Sequence, residues 1–270
     1  MPKLKEIIRD IEEVFDPALA APWDNTGLQL GDPDWEADKV MVALDPLPEI
    51  IREAAKKKTN LLVTHHPLFF NPVKSLDISR GEGLVAAVCI KNKIALYAAH
   101  TSFDSAPGGL NDFLAERLGI MNAGPLEPMD DNPGAGRSTG FGRIGNLKKP
   151  ITAPALADRV KKALSLKEVR LTGAPDRIIR TVSVCGGSGA DLLEAASRAG
   201  ADAFITGDVK YHQALSALSL GICLIDAGHQ GTELPAMEHL AGRLREKFRE
   251  KGRKISVETS NVRVSPWTGA

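Results

Sequence analysis

His65 and His66 stand side by side between the apolar run Leu61-Leu62-Val63-Thr64 and Pro67. The run reads as a buried strand, so a pair of imidazoles is delivered to its tip. Imidazole is the commonest metal ligand, and neighbouring residues at a strand end project to opposite sides of the chain, where they could grip two different ions. Capping the strand end and bonding local carbonyls is the structural reading of the same pair. Two more apolar runs end in residues of ligand type. Ile94 to Ala99 leads into His100-Thr101-Ser102-Phe103-Asp104, and Gly221 to Ile225 leads into Asp226-Ala227-Gly228-His229-Gln230-Gly231-Thr232-Glu233. Strand tips are where open α/β sheets keep their sites. His229 and Glu233 are spaced i, i+4, which aligns them if a helical turn has begun; Gly228 and Gly231 argue instead that His229 is still in the loop, with Thr232 as N-cap and Glu233 in the first turn. Either geometry allows a shared ion.

The elements that must position these residues alternate between strand and helix, the pattern of layered α/β folds. An amphipathic helix opens the chain, with Leu4, Ile7, Ile8, Ile11 and Val14 on one face, and the turn-rich stretch Pro22 to Gly27 follows. The spacing then predicts a strand over Lys39 to Leu44, a helix from Pro48 to Lys57, the strand ending at His65, a helix near Gly83 to Lys91, the strand ending at His100 and a helix from Gly109 to Leu118. Met121 to Gly140 is rich in Gly, Pro, Asp and Asn and reads as a connector. A second series follows: a helix near Ala153 to Leu164, a strand pair around Val169 to Leu171 and Ile178 to Val184, the turn Gly186-Gly187-Ser188-Gly189, a helix Ala190 to Ala199, a strand Ala203 to Thr206, a helix near Val209 to Leu218, the strand ending at Ile225 and a long helix to about Arg249. The two series share a plan, in which two strand-helix steps lead to a third strand and a ligand-bearing segment. The expectation is an α/β chain of two similar lobes, 1–126 and 127–270, facing each other across a cleft.

Composition bounds the function classes. The 270 residues are 43% hydrophobic and 25% charged, ordinary for a globular chain, and 34 Lys and Arg balance 34 Asp and Glu. Without a net field, nucleic acid and anionic membrane are not expected partners. Cys89, Cys185 and Cys223 lie far apart in apolar segments without a CxxC spacing, which points to buried thiols in a reducing compartment. The charged first helix is no signal peptide and no apolar run approaches the length of a membrane span, so a cytoplasmic location is expected.

Five segments, Pro22 to Leu28, Thr64 to Leu68, His100 to Gly109, Ile205 to His212 and Gly228 to Glu233, resemble in that order the signature stretches of the Nif-three-like family, whose members are commonly named type 2 GTP cyclohydrolase I homologues. The resemblance runs nearly end to end. It implies a two-lobed α/β subunit, a dinuclear metal centre in the cleft, toroidal homo-hexamers built from dimers, and His65, His66, Asp104, His229 and Glu233 as metal ligands. Gln230 departs from the family, which carries an aromatic after the final histidine. The Met121 to Gly140 stretch is too short for the domain that some members insert between the lobes.

The chemistry of those residue types fits the implication. Mixed nitrogen and oxygen ligands without thiolate suit zinc, iron, manganese or nickel, and two such ions would need a bridging oxygen ligand, Glu233 or Asp104. A water bridging two divalent ions is acidified from a pKa of ~15.7 toward neutrality, which would supply a hydroxide to attack a nucleotide or a phosphate ester. His100 and His212 are the candidates for proton transfer or substrate contact. His239, inside the last helix, reads as a surface or packing residue. The Gly186 to Gly189 turn could present amides to a phosphate but lacks the P-loop lysine, and a tight turn explains it better. Lys210 and Arg137 could neutralise a triphosphate. Asp24, Asn25 and Asp45 lie in turns and could line the pocket, but turn chemistry is explanation enough. The expected function is a dinuclear-metal hydrolase; the alternative is a non-catalytic metal-binding scaffold for protein partners.

Overall fold

The computed structural model describes residues 1–129 and 139–267. Arg137 lies outside them. The chain divides into two compact units, Met1–Phe103 with Met237–Ala270, and Asp104–Ala236.

The first unit opens with α1 (Leu4–Glu12), which buries Leu4, Ile7 and Ile11 as the 3.6-residue spacing requires. Strands β1 (Gly27–Leu30) and β2 (Lys39–Ala43), helix α2 (Pro48–Lys56), strand β3 (Leu61–Thr64), helix α3 (Gly81–Asn92), strand β4 (Ala95–Ala98) and helix α4 (His100–Ser105), in which the unit boundary falls after Phe103, follow. β2, β3 and β4 are parallel neighbours and β1 closes the β4 edge antiparallel. Every residue of β3 and β4 is buried, which explains why these strands read as unbroken apolar runs and not as an alternation. On one face, Met41, Leu62 and Leu96 pack with Ile50, Ile51 and Ala54 of α2 and Val85 and Cys89 of α3.

The second unit holds α5 (Leu110–Leu118), β5 (Ile120–Pro128), β6 (Gly140–Thr152), α6 (Ala153–Leu164), β7 (Arg170–Thr172), β8 (Ile178–Val184), α7 (Leu193–Arg198), β9 (Ala203–Thr206), α8 (Tyr211–Leu220), β10 (Cys223–Asp226) and α9 (His229–Glu233). Its sheet runs β5-β6-β8-β9-β10-β7. β8, β9 and β10 are parallel, as β2, β3 and β4 are, and β7 closes the β10 edge antiparallel as β1 closes β4. The shared plan of the two series is thus a shared strand topology. A buried ion pair anchors the long β5–β6 ribbon to α5: the Arg143 guanidinium, 1% exposed, donates to both oxygens of Asp112 and to the carbonyls of Gly140 and Gly142.

The chain then returns to the first unit. α10 (Met237–Glu250) lies against α1 and β2, and β11 (Ser256–Thr259) adds a parallel edge strand beside β2. Ion pairs from Arg253 to Glu6 and Asp10 and from Lys247 and Lys251 to Glu13 tie the returning segment to α1.

Several expectations are corrected. The units divide differently from 1–126 and 127–270, because the last helix and strand complete the first sheet. The described part of the Met121 to Gly140 connector is mostly strand: β5 pairs with β6 across a bulge between Met121 and Gly124. β7 pairs with β10 and not with β8. The helix after β10 begins at His229, three residues before Thr232, with Gly228 at positive φ as the residue before it. Thr232 is therefore no N-cap; its hydroxyl bonds the His229 carbonyl one turn back, 2.8 Å away. Among the described residues no helix is long and apolar enough to cross a membrane.

Candidate metal centre

In the first unit the chain stays bonded to the end of β2 past the end of β3, but out of the regular ladder. The His65 amide donates to the Ala43 carbonyl at 3.1 Å and the His66 amide to the Leu44 carbonyl at 2.9 Å, while the Thr64 hydroxyl closes on the His66 carbonyl at 2.7 Å. The Ala99 amide bonds the Thr64 carbonyl at 2.8 Å, which brings the first residue of α4, His100, beside the pair. The three rings gather: centroids are 4.9 Å apart for His65 and His66, 5.1 Å for His65 and His100, and 5.6 Å for His66 and His100. Each ring offers a nitrogen within 4.8 Å of the others'. Strand alternation does not separate His65 from His66, because the strand has ended at Thr64. His65 is fully buried, with the Phe103 ring edge-on at 6.1 Å.

Two of these imidazoles are held from behind by carboxylates. Asp45, just beyond β2, meets Nδ1 of His66 at 2.7 Å; Asp24 meets Nδ1 of His100 at 2.8 Å and also takes the amide of Thr101 at 3.0 Å. Burial works to raise the Asp24 carboxyl, but the bonds from His100 and Thr101 outweigh it and hold the group at about 2.

In the second unit the same device recurs. Asp208, just beyond β9, meets Nδ1 of His229 at 2.7 Å, and Nε2 of that ring lies 3.0 Å from Oε2 of Glu233 one turn along α9. Asp208 takes φ +53°, a left-handed conformation that Asp tolerates better than most residues. Glycine clears the ground around this pair. A Cβ on Gly187 would stand 2.2 Å from Oε1 of Glu233, and one on Gly207 would stand 2.5 Å from the His229 amide nitrogen. The Gly187 amide donates to the Thr232 hydroxyl at 2.9 Å, that of Gly189 to Thr206 at 2.9 Å and that of Gly186 to Asn111 at 3.0 Å, so these amides serve the turn itself. Asp104 lies one turn along α4 from His100. The buried Cys185 thiol is pushed up by burial and then by the nearby charges of Asp104 and Glu233.

The equivalence extends to the residues of ligand type. The third strand of each parallel trio runs within three residues into a short helix that starts on histidine and carries a carboxylate four residues later, His100 with Asp104 and His229 with Glu233.

This arrangement sits in a recognisable chain. The profile of the Duf34/NIF3 family (NGG1p interacting factor 3) matches residues 2–266. The chain belongs to this family. It is 37% identical over 99% of its length, and 94% of the relative's, to the GTP cyclohydrolase 1 type 2 homolog of Streptomyces coelicolor. It is 31% identical to the Protein NIF3 homolog of Schizosaccharomyces pombe, over 98% and 96% of the two chains. The crystal structure of a Bacillus cereus protein related to NIF3 superposes with a TM-score of 0.93 at 27% identity, covering 100% and 99%.

Other candidates of this Duf34/NIF3 chain fall elsewhere. His212 is exposed in the first turn of α8, its ring 5.3 Å from that of Tyr211. His239 packs toward Phe103, ring centroids 6.5 Å apart. Lys210 is exposed just before α8. Sequence reasoning placed Asp24 and Asp45 at the pocket without their pairing to an imidazole, and missed Asp208. Their signal was one of position: Asp45 and Asp208 each follow a parallel strand within two residues, next to the strand whose tip carries the imidazole.

Proposed function

We propose that this Duf34/NIF3 protein is a metal-dependent hydrolase acting on a nucleotide or phosphate ester, with two divalent ions per subunit and His65, His66, Asp104, His229 and Glu233 as ligands. The observation that carries the reading is the carboxylate behind the imidazole, repeated at His66, His100 and His229. A carboxylate accepting from Nδ1–H fixes ring and tautomer and makes Nε2 the more basic donor, the usual second layer of a metal site. A packing histidine has no need of it. The donor set fits such ions: imidazole nitrogen and carboxylate oxygen.

When bound, a pair of divalent ions polarises a substrate oxygen and lowers the pKa of water toward neutrality. The chain's own residues supply orientation and proton handling. Asp45 and Asp208 hold His66 and His229 in register; His100, held by Asp24, offers Nε2 as the atom at which a proton is taken or returned. His212, exposed on α8, is assigned no step. The names of relatives such as the Streptomyces coelicolor protein agree with the hydrolase reading. The family resemblance also favours a homo-hexameric assembly, readable from its mass.

The test combines elemental analysis with turnover. Protein reconstituted with zinc, iron, manganese or nickel is assayed on GTP and on generic phosphoesters, beside His66→Ala. Stoichiometric metal and a turnover abolished in the variant support the proposal. Full occupancy with no turnover on any substrate leaves a metal-binding scaffold instead, and no stoichiometric uptake of any ion refutes the ligand assignment.

A further inference from the structure

Beside the imidazole group of the first unit stand two aromatic side chains that the core does not use. Trp23 is 61% exposed and Phe70 52%. Single exposed apolar residues are ordinary, but these two touch each other, with ring centroids 5.7 Å apart at 42°, and both touch His100. The His100 ring stands steeply to each, 5.9 Å from Trp23 at 70° and 6.2 Å from Phe70 at 73°.

Their positions are built, although both lie in irregular segments. Asn25 donates through Nδ2 to the Phe69 carbonyl at 2.6 Å, Gln29 donates through Nε2 to the Asn25 carbonyl at 2.8 Å, and the Phe69 amide reaches Oε1 of Gln29 at 3.4 Å. These bonds stitch the Trp23 turn to the Phe70 loop. The Thr26 hydroxyl pins the turn to the Ala98 carbonyl of β4 at 2.8 Å, and Leu68 and Phe69 pack into the core beneath. The chain thus spends side-chain hydrogen bonds on holding two exposed rings beside the imidazoles. Asp24, next in the chain to Trp23 and bonded to Nδ1 of His100, places a carboxylate beside the platform.

We infer that Trp23 and Phe70 form a stacking platform for a flat, uncharged ring of the substrate, so that the preferred ligands are nucleobase-bearing molecules and not phosphoesters at large. The inference rests on the hydrolase reading for its use, but its geometry stands alone. Stacking on an exposed aromatic face is tolerant of which base is present, so the platform selects a class and not a single base.

The experiment is a fluorescence titration. The chain has three tryptophans, and replacing Trp35 and Trp267 with Phe leaves Trp23 as the sole reporter. Guanosine and adenosine monophosphates and ribose 5-phosphate are titrated into the full-length protein, with calorimetry alongside and metal content measured on the same samples. Both nucleotides are expected to quench Trp23 saturably, and Phe70→Ala to weaken their binding about 5- to 150-fold, the usual effect of removing one stacking side chain. Ribose 5-phosphate, which lacks the base, should leave Trp23 unquenched and its affinity unchanged in Phe70→Ala. In the otherwise native chain Trp23→Phe should retain most of the nucleotide affinity that Trp23→Ala loses. Absence of saturable quenching by either nucleotide, or a nucleotide affinity indifferent to Phe70→Ala, overturns the platform. Stoichiometric metal without quenching sinks this inference alone, whereas quenching without metal uptake sinks the hydrolase reading alone.

Discussion

Gly187→Ala probes the proposed ligands Glu233 and His229 from a residue that would itself donate no atom to an ion. Gly187 has φ +64°, and a Cβ there would stand 2.2 Å from Oε1 of Glu233 and 3.5 Å from Nε2 of His229. Ordinary contact begins near 3.4 Å, so the carboxylate oxygen must retreat by about 1 Å. That displacement separates Glu233 from the ring it now meets at 3.0 Å. Disturbing even the outer partners of a metal ligand typically costs about 10- to 100-fold in metal affinity, or about 1.4–2.7 kcal/mol, and moving the ligand itself should cost no less. The substitution also forces alanine into a left-handed conformation, worth about 1–2 kcal/mol of stability. The two effects are separable. Gly200→Ala carries the same backbone cost at φ +77° with nothing within 4 Å of the added methyl. Both variants should melt a few degrees lower, at about 2–4 °C per kcal/mol for a chain of roughly this size. Only Gly187→Ala should lose metal affinity, measured by competition against a chromogenic chelator. A folded Gly187→Ala that binds metal as tightly as Gly200→Ala refutes the idea that this glycine makes room for Glu233.

Three further outcomes follow from the same geometry. Asp208→Gly removes the carboxylate behind His229 and relieves the left-handed backbone at φ +53°, so metal affinity should fall about 10- to 100-fold while stability in urea rises by up to about 1 kcal/mol. A fall in both would show that Asp208 serves the fold. Arg143→Ala should destabilise the chain by about 3 kcal/mol, the low end for breaking a buried pair because Asp112 is 33% exposed and can rehydrate; urea midpoints measure it. Asp24, held at about 2 from 3.8, has a depressed folded-state pKa, so its contribution is complete above about pH 4 and disappears as pH falls through about 2. Asp24→Asn should flatten that limb of the pH–stability curve, and an unchanged slope would contradict the assigned bonds.

The legible part of the fold was the part buried on both faces. β3, β4, β9 and β10 are uninterrupted apolar runs because parallel strands between helix layers have no polar face, and His65, His100 and Asp226 mark where they end. β5 was not legible, since Asn122, Gly124, Pro125 and Pro128 read as a loop. An edge strand admits them: β5 is first in its sheet, Asn122 takes φ +53° within a bulge, and a proline at an edge forgoes only a bond to solvent. β11 escaped for a related reason. Its residues alternate between exposed and half-buried, and its parallel partner β2 lies more than two hundred residues earlier, beyond any local pattern. Among site residues, histidines announced themselves by type. Asp24, Asp45 and Asp208 did not, because an aspartate after a strand is the commonest of turn residues until the ring it faces is known.

The repeat explains why the aspartates fall where they do. In a parallel α/β sheet each strand tip is a place where side chains leave the ladder together, and neighbouring tips stand one strand spacing apart, about 4.8 Å. A carboxylate on one tip and an imidazole on the next therefore meet without any long loop. Asp45 after β2 reaches His66 after β3, and Asp208 after β9 reaches His229 after β10. The trio advances by one strand between the two units, so the acid behind the imidazole comes from the first tip in one and from the second in the other. The third tip of the first unit, at His100, has no acid on its neighbour, because β3 has already ended in histidines; Asp24 is brought instead from the turn before β1, the antiparallel strand that closes the β4 edge. The same sheet physics thus gives each parallel trio an anchored imidazole and a carboxylate one turn along the helix that follows it, while differences of one strand and one turn decide that the first trio is rich in imidazole. The proposed ligand assignment makes a strict prediction about sequence: acids at the tips and the glycines at 187 and 207 should vary together with the histidines, and not with the helices that bury the sheets.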